Sequence, residues 1–150
     1  MKHRYSDSLM QSSAQNEKWF QVSLRFQGDA LPVDEVGGRL NIEPSAIGRL
    51  GEHINGNPKY AIYPTNLWVW AMTHDSTISF EEQIGALLEL LEPKKQALTE
   101  ILSLPHVEGE IFLGFSSSNG QGGTYLSSSL LSRVGALGLA LNLDLYPPSN

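Results

Sequence analysis

The stretch from Thr77 to Pro105 constrains the fold more than any other part of this chain. Phe80, Ile84, Leu87, Leu88 and Leu91 recur at helical spacing and therefore share one apolar face. Ser79 followed by Glu82 makes a capping box, in which the hydroxyl accepts from a first-turn amide and the carboxylate reaches back to the cap amide. Pro93 cannot continue that helix but suits the first position of another. Ala97, Leu98, Ile101 and Leu102 form a second apolar stripe, which Pro105 ends. Two helices with apolar faces need a sheet to cover, and strands flank them on both sides.

The first of those strands opens the fold. Phe20, Val22, Leu24 and Phe26 alternate with Gln21, Ser23 and Arg25, the period of a half-buried strand. Leu31 to Leu40 predicts a short helix with Val33, Val36 and Leu40 on one side and Asn41 as a left-handed stop. Ser45 to Leu50 predicts a short edge strand, and Asn55-Gly56-Asn57-Pro58 marks a turn within the loop from Gly51 to Thr65. Leu67 to Met72 reads as a strand apolar on both sides, with Leu67, Val69 and Ala71 opposite Trp68, Trp70 and Met72. Glu108 to Phe115 gives a strand with Ile111, Leu113 and Phe115 on one face and Glu110 and Phe112 on the other. Ser127 to Ser129 offer caps for a helix carrying Leu130, Leu131, Val134 and Leu137, with Gly138 at its end. The last strand sets Leu139, Leu141, Leu143 and Leu145 against Ala140, Asn142, Asp144 and Tyr146, and Pro147 and Pro148 stop it.

This order predicts an α+β domain over residues 18–148, with a mainly antiparallel sheet, helices packed on one face, and water over much of the other. The opening and closing segments each read as strand, short helix, strand, which points to a ferredoxin-like, pseudo-duplicated arrangement. Residues 1–17 are polar, rich in Ser and Gln and without periodicity, and are expected to form a flexible tail.

Chemistry is harder to find. The net charge of −6 argues against a general nucleic-acid or anionic-membrane binder. With no cysteine, the chain has no disulfide framework, thiol nucleophile or thiolate metal site. The start lacks the apolar run of a secretory signal, and no stretch approaches the ~20 apolar residues that span a bilayer, so a cytoplasmic location is the expectation. His3, His53, His74 and His106 show no helical metal-pair spacing. The Gly-rich loop from Gly114 to Thr124 lacks the Gly-Lys-Ser/Thr ending of a nucleotide loop, and Gly114-Phe115-Ser116-Ser117-Ser118 lacks the closing glycine of a nucleophile elbow. No cofactor and no metal are expected.

The aromatic residues stand out instead. Trp68 and Trp70 lie on one side of their strand, with Tyr60, Tyr63 and Phe112 as possible neighbours and His74 just beyond. Such a surface is either core beneath the helices or an exposed binding face of the kind enriched at interfaces, and alternation leaves both open.

Several stretches together resemble a known family: Val22-Ser23-Leu24-Arg25, Leu40 to Ser45, Arg49 to Glu52, Leu67-Trp68, Phe80 to Ile84 with Leu87 to Pro93, and Leu137 to Tyr146. They are similar to a bacterial family known as domain of unknown function 4279, over about residues 20–146. The resemblance implies a bacterial α+β domain and no assigned activity; its matching positions are structural, with no catalytic signature.

Two functions are therefore expected. The first is a non-enzymatic, immunity-like or regulatory module that binds another protein through the tryptophan face or the acidic helix surface. The second is a small-molecule-binding domain or weak enzyme, with a pocket between sheet and loop near Trp68, Trp70 and His74; the binding residues expected are Trp68, Trp70, His74, Tyr63 and Phe112. A homodimer through the tryptophan strand is a third arrangement, since an uncovered strand invites symmetric pairing.

Overall fold

The computed structural model describes residues 18–73, 75, 77–117 and 123–146. The expected tail over residues 1–17 lies outside them, as does His74. In chain order the elements are β1 (Lys18–Gln27), α1 (Val33–Leu40), β2 (Ala46–Gly48), β3 (Leu67–Ala71), α2 (Phe80–Leu91), α3 (Lys95–Leu102), β4 (Glu108–Ser117), α4 (Ser128–Ala136) and β5 (Ala140–Tyr146). Single 3-10 turns occur at Ile54–Gly56 and at Glu92–Lys94, the latter holding Pro93 at the junction of α2 and α3.

The strands form one open sheet in the order β2-β3-β1-β4-β5. All neighbours are antiparallel except β4 and β5, which run parallel. The α+β class and the mainly antiparallel sheet therefore hold. The two strand–helix–strand segments are not equivalent halves, however. β1 and β2 are separated by β3, whereas β4 and β5 are direct neighbours joined across α4. The strand order does not confirm the pseudo-duplication expected from sequence, because a similar order of elements does not fix which strands become adjacent.

Cross-strand register decides the faces. Leu24 stands opposite Trp70 and Ile111, Phe26 opposite Trp68 and Gly109, and Val22 opposite Leu113. Directly opposed residues point to the same side, so all of these share one face. The helices pack there: Phe80, Ile84, Leu87, Leu88 and Leu91 of α2, Leu98 and Ile101 of α3, and Leu130 and Val134 of α4 join them in a single buried cluster. Gly109 matters here, because a Cβ at this position would lie 2.7 Å from Leu102 Cδ2 and 3.0 Å from Phe26 Cδ1. A side chain here would have to push the end of Leu102 aside, so glycine suits the close packing of α3 on β4.

The helix ends carry the signals expected of them. The Ser79 hydroxyl accepts from the Glu82 amide at 3.2 Å, and the Ser127 hydroxyl accepts from the Leu130 amide at 3.1 Å. Asn41 ends α1 in the left-handed region at φ 53°. Lys94 Nζ donates to the Leu40 carbonyl at 2.5 Å, satisfying a C-terminal acceptor of α1 from the turn before α3. Among the described residues no helix is long and apolar enough to cross a membrane.

Candidate functional site

The sheet separates the aromatic residues that the sequence groups together. Trp68 is fully buried on the helix face, its ring 5.6 Å from that of Phe26, and Trp70 packs against the same core. The indole Nε1 of Trp68 is buried without a hydrogen-bond partner among the described residues. Phe112 belongs to the opposite, open face, because it stands across from Ser23 while Leu24 takes the helix side. Tyr63 also lies on the open side: a Cβ at Gly48, which pairs with Leu67, would sit 2.5 Å from the Tyr63 ring. The backbone of Tyr63 is held in the loop by bonds with Gly51 and Glu52, at 3.0 and 2.9 Å. The sheet thus lies between Trp68 and Trp70 on one side and Tyr63 and Phe112 on the other, so these four line no common pocket.

On the open face Phe112 is only 7% exposed because Arg25 covers it, the guanidinium lying 3.6 Å above the ring centre. A cation over an aromatic face is attracted by the ring quadrupole. Arg25 stands directly opposite Glu110, yet the carboxylate of Glu110 is engaged from the other side by the Asn142 amide at 3.2 and 3.3 Å. Further along β5, the hydrogen bond to Asp144 holds the Tyr146 phenol above its usual pKa, with burial and the carboxylate charge adding to the effect. The row is mostly polar, and within it the Arg25 Nε is buried without a hydrogen-bond partner among the described residues.

A different kind of surface runs along the outer edge of β5. At seven residues β5 is a long edge strand, and its composition gives little protection against pairing: one acid, no lysine and no proline. At the other edge, β2 has only three residues. On the helix side of β5, Leu139 and Leu141 reach the core, whereas Leu143 is 51% and Leu145 64% exposed. Element lengths explain the difference. A nine-residue helix extends about 13.5 Å, and seven strand residues about 23 Å. α4 can cover the start of β5 but not its end. Leu131 on the exposed side of α4 adds to the uncovered apolar surface. The alternation of β5 shows which face these leucines take; recognising them as exposed needs the lengths of the two elements as well.

The remaining surface features are of other kinds. Depressions of about 360, 470 and 550 Å³ lie at the start of β4 and β5, beside the β1–α1 turn, and beside the end of α1. The polar groups around them are mainly carboxylates, among them Glu108, Glu110, Asp29 and Asp34. Among the described residues no three metal-ligating side chains converge. On the helical surface Glu82, Glu89 and Glu100 are exposed. Glu92 is bound to Arg133 of α4, and that hydrogen bond holds its carboxyl below the usual value.

Comparison with known proteins adds the family. The model of the family described as Domain of unknown function (DUF4279) matches residues 17–148. The chain therefore belongs to that family, and the resemblance seen in its strands and in the α2 segment is confirmed across most of its length. No curated protein and no solved structure matches it.

Proposed function

We propose that this member of the DUF4279 family is a protein-interaction module whose binding surface is the β5 edge with the exposed leucines beside it. The carrying observation is the pairing of a seven-residue edge strand with Leu143 and Leu145 at half exposure or more on one side of it. An extended segment added to such an edge gains main-chain hydrogen bonds, and alternate side chains supply specificity. The tryptophan strand does not take this role, because Trp68 is enclosed in the core. We further infer that the first four strands, ordered β2-β3-β1-β4 with α1 and α2–α3 between them, follow the ferredoxin-like pattern. On that reading α4 and β5 are an added unit, which moves the sheet edge from β4 to β5.

The reading is tested by placing a photo-crosslinking amino acid at position 143 and, separately, at exposed Gln96 on α3, then irradiating each variant in lysate of the source cells. A discrete protein adduct from position 143 that is missing from position 96 is the expected result. No adduct from position 143, or the same adducts from both positions, refutes the proposal.

A further inference from the structure

We propose that the partner of β5 is β5 of a second copy of this chain, paired antiparallel about a two-fold axis centred on Leu143. The inference rests on the interaction-module reading and identifies the occupant of its surface.

Symmetry and sequence together select the register. A two-fold axis perpendicular to the sheet keeps the helices of both copies on one side and places each residue opposite one that points the same way. Centred on Leu143, it pairs all seven strand residues from Ala140 to Tyr146. Leu143 then faces Leu143 of the second copy, and Leu141 faces Leu145, so the exposed leucines of each copy cover those of the other. Asp144, the one charged residue of the strand, falls opposite Asn142. The Asn142 amide has two protons; its Nδ2 lies 3.3 and 3.2 Å from the two oxygens of the Glu110 carboxylate, which are close enough together to share one of them. The other is available to the incoming carboxylate.

Neighbouring registers are worse. Centring on Asp144 sets two carboxylates directly against each other, which is destabilising. Centring on Asn142 leaves Leu145 and Tyr146 without strand partners, because the residue then facing Tyr146 is Gly138, at φ +75° and outside the strand. An axis between two residues would set leucines against polar residues and turn the second copy over, which the two-fold forbids. The edge is thus complementary to itself in charge and in apolar pattern. The result is a continuous ten-stranded sheet, with β5 and its copy at the centre.

The absence of cysteine makes the test clean. Opposed residues in antiparallel strands have Cα atoms about 4.5–5.5 Å apart, within disulfide range. Leu143→Cys should therefore cross-link to itself under mild oxidation. Leu145→Cys should not, since its counterpart lies four residues away along the strand. Light scattering should give wild type twice the chain mass of 16.5 kDa, and Leu143→Lys the single mass with an unchanged circular dichroism spectrum. The proposal is overturned if wild type remains a monomer at about 100 μM, or if Leu145→Cys cross-links as fast as Leu143→Cys. A monomeric wild type whose position 143 photo-cross-links to a different protein removes self-pairing and leaves the interaction module standing. A monomer with no adduct removes both.

Discussion

Gln83 is one of two buried polar residues among those described, at 5% exposure, and its role can be tested quantitatively. It lies in the first turns of α2, and its Nε2 donates backwards to the carbonyls of Asp75 and Ile78 at 3.2 and 3.0 Å. Those carbonyls belong to the turn that carries the chain from β3 into α2, where Asp75 Oδ1 also accepts from the Thr77 amide at 2.9 Å. In Gln83→Leu both donors are lost. The Asp75 carbonyl keeps a bond from the Ile78 amide at 3.3 Å, so Ile78 O is the acceptor left unpaired. An acceptor left unpaired in this part-buried site costs about 1–3 kcal/mol, and the greater apolar burial of leucine offsets less than about 1 kcal/mol. A net loss of about 1–2 kcal/mol is expected, which at a urea slope of ~2 kcal/mol/M lowers the midpoint by about 0.5–1 M with the slope unchanged.

Gln83→Glu separates the hydrogen bond from the shape. The carboxylate has the same outline but faces two carbonyl oxygens, so the fold favours its protonated form and raises its pKa above the unfolded value of ~4.3. The penalty is then fully present at neutral pH and disappears as pH falls through the folded pKa towards the unfolded one. Urea unfolding at pH 7 and pH 4.5 should show Gln83→Glu well below Gln83→Leu at the higher pH, with the gap narrowing at the lower. Equal stability of wild type and Gln83→Leu within about 0.3 kcal/mol, or a Gln83→Glu penalty independent of pH, would refute the reasoning.

Two further outcomes follow from the placement of the aromatic side chains. Trp68→Ala should lose about 3–5 kcal/mol because it empties a fully enclosed site, and urea unfolding that finds a loss below about 1 kcal/mol would mean that the tryptophan is not core. Tyr146 should ionise above 10, because its bond to Asp144 favours the protonated phenol. Its contribution to stability is therefore present below pH ~10 and lost as pH rises through the folded value. The tyrosinate absorbance of wild type minus Tyr146→Phe gives that titration directly. Asp144→Asn should move it down, and no movement would show that Asp144 is not the cause.

What the sequence makes legible follows from what each pattern encodes. Strict alternation in β1 and β5, the Ser79 cap and the apolar stripe from Phe80 to Leu91 each describe one element, and each matches the structure. The orientation of β3 is different, because both of its sides are apolar and alternation has no preference between them. Only the register of Leu24 with Trp70 settles it. Phe112 shows the same limit between strands: its alternation within β4 is correct, but its side relative to Trp68 depends on pairing both strands with β1. The candidate site assembled from Trp68, Trp70, Tyr63 and Phe112 joined residues by chemical type across a sheet that divides them. The β5 surface was within reach of the pattern, since Leu143 and Leu145 stand in a clear alternating row. What the pattern lacks is the length of the covering helix.

The position of β1 at the centre of the sheet has a consequence for synthesis. Its two partners come late: Gln27 pairs with Leu67 and with Glu108, the second of them 81 residues further along the chain. At about 5–20 residues per second, the ribosome needs roughly 4–16 s to make that interval. Throughout it Val22, Leu24 and Phe26, which end fully buried, lack the β4 strand, and the α2 and α3 faces that cover them are made only towards its end. β4, α4 and β5 instead emerge in direct succession and can pair as they appear. The nascent chain is therefore most exposed to misassociation at its beginning, and a chaperone that binds short apolar segments would find its best target in Val22-Ser23-Leu24-Arg25-Phe26.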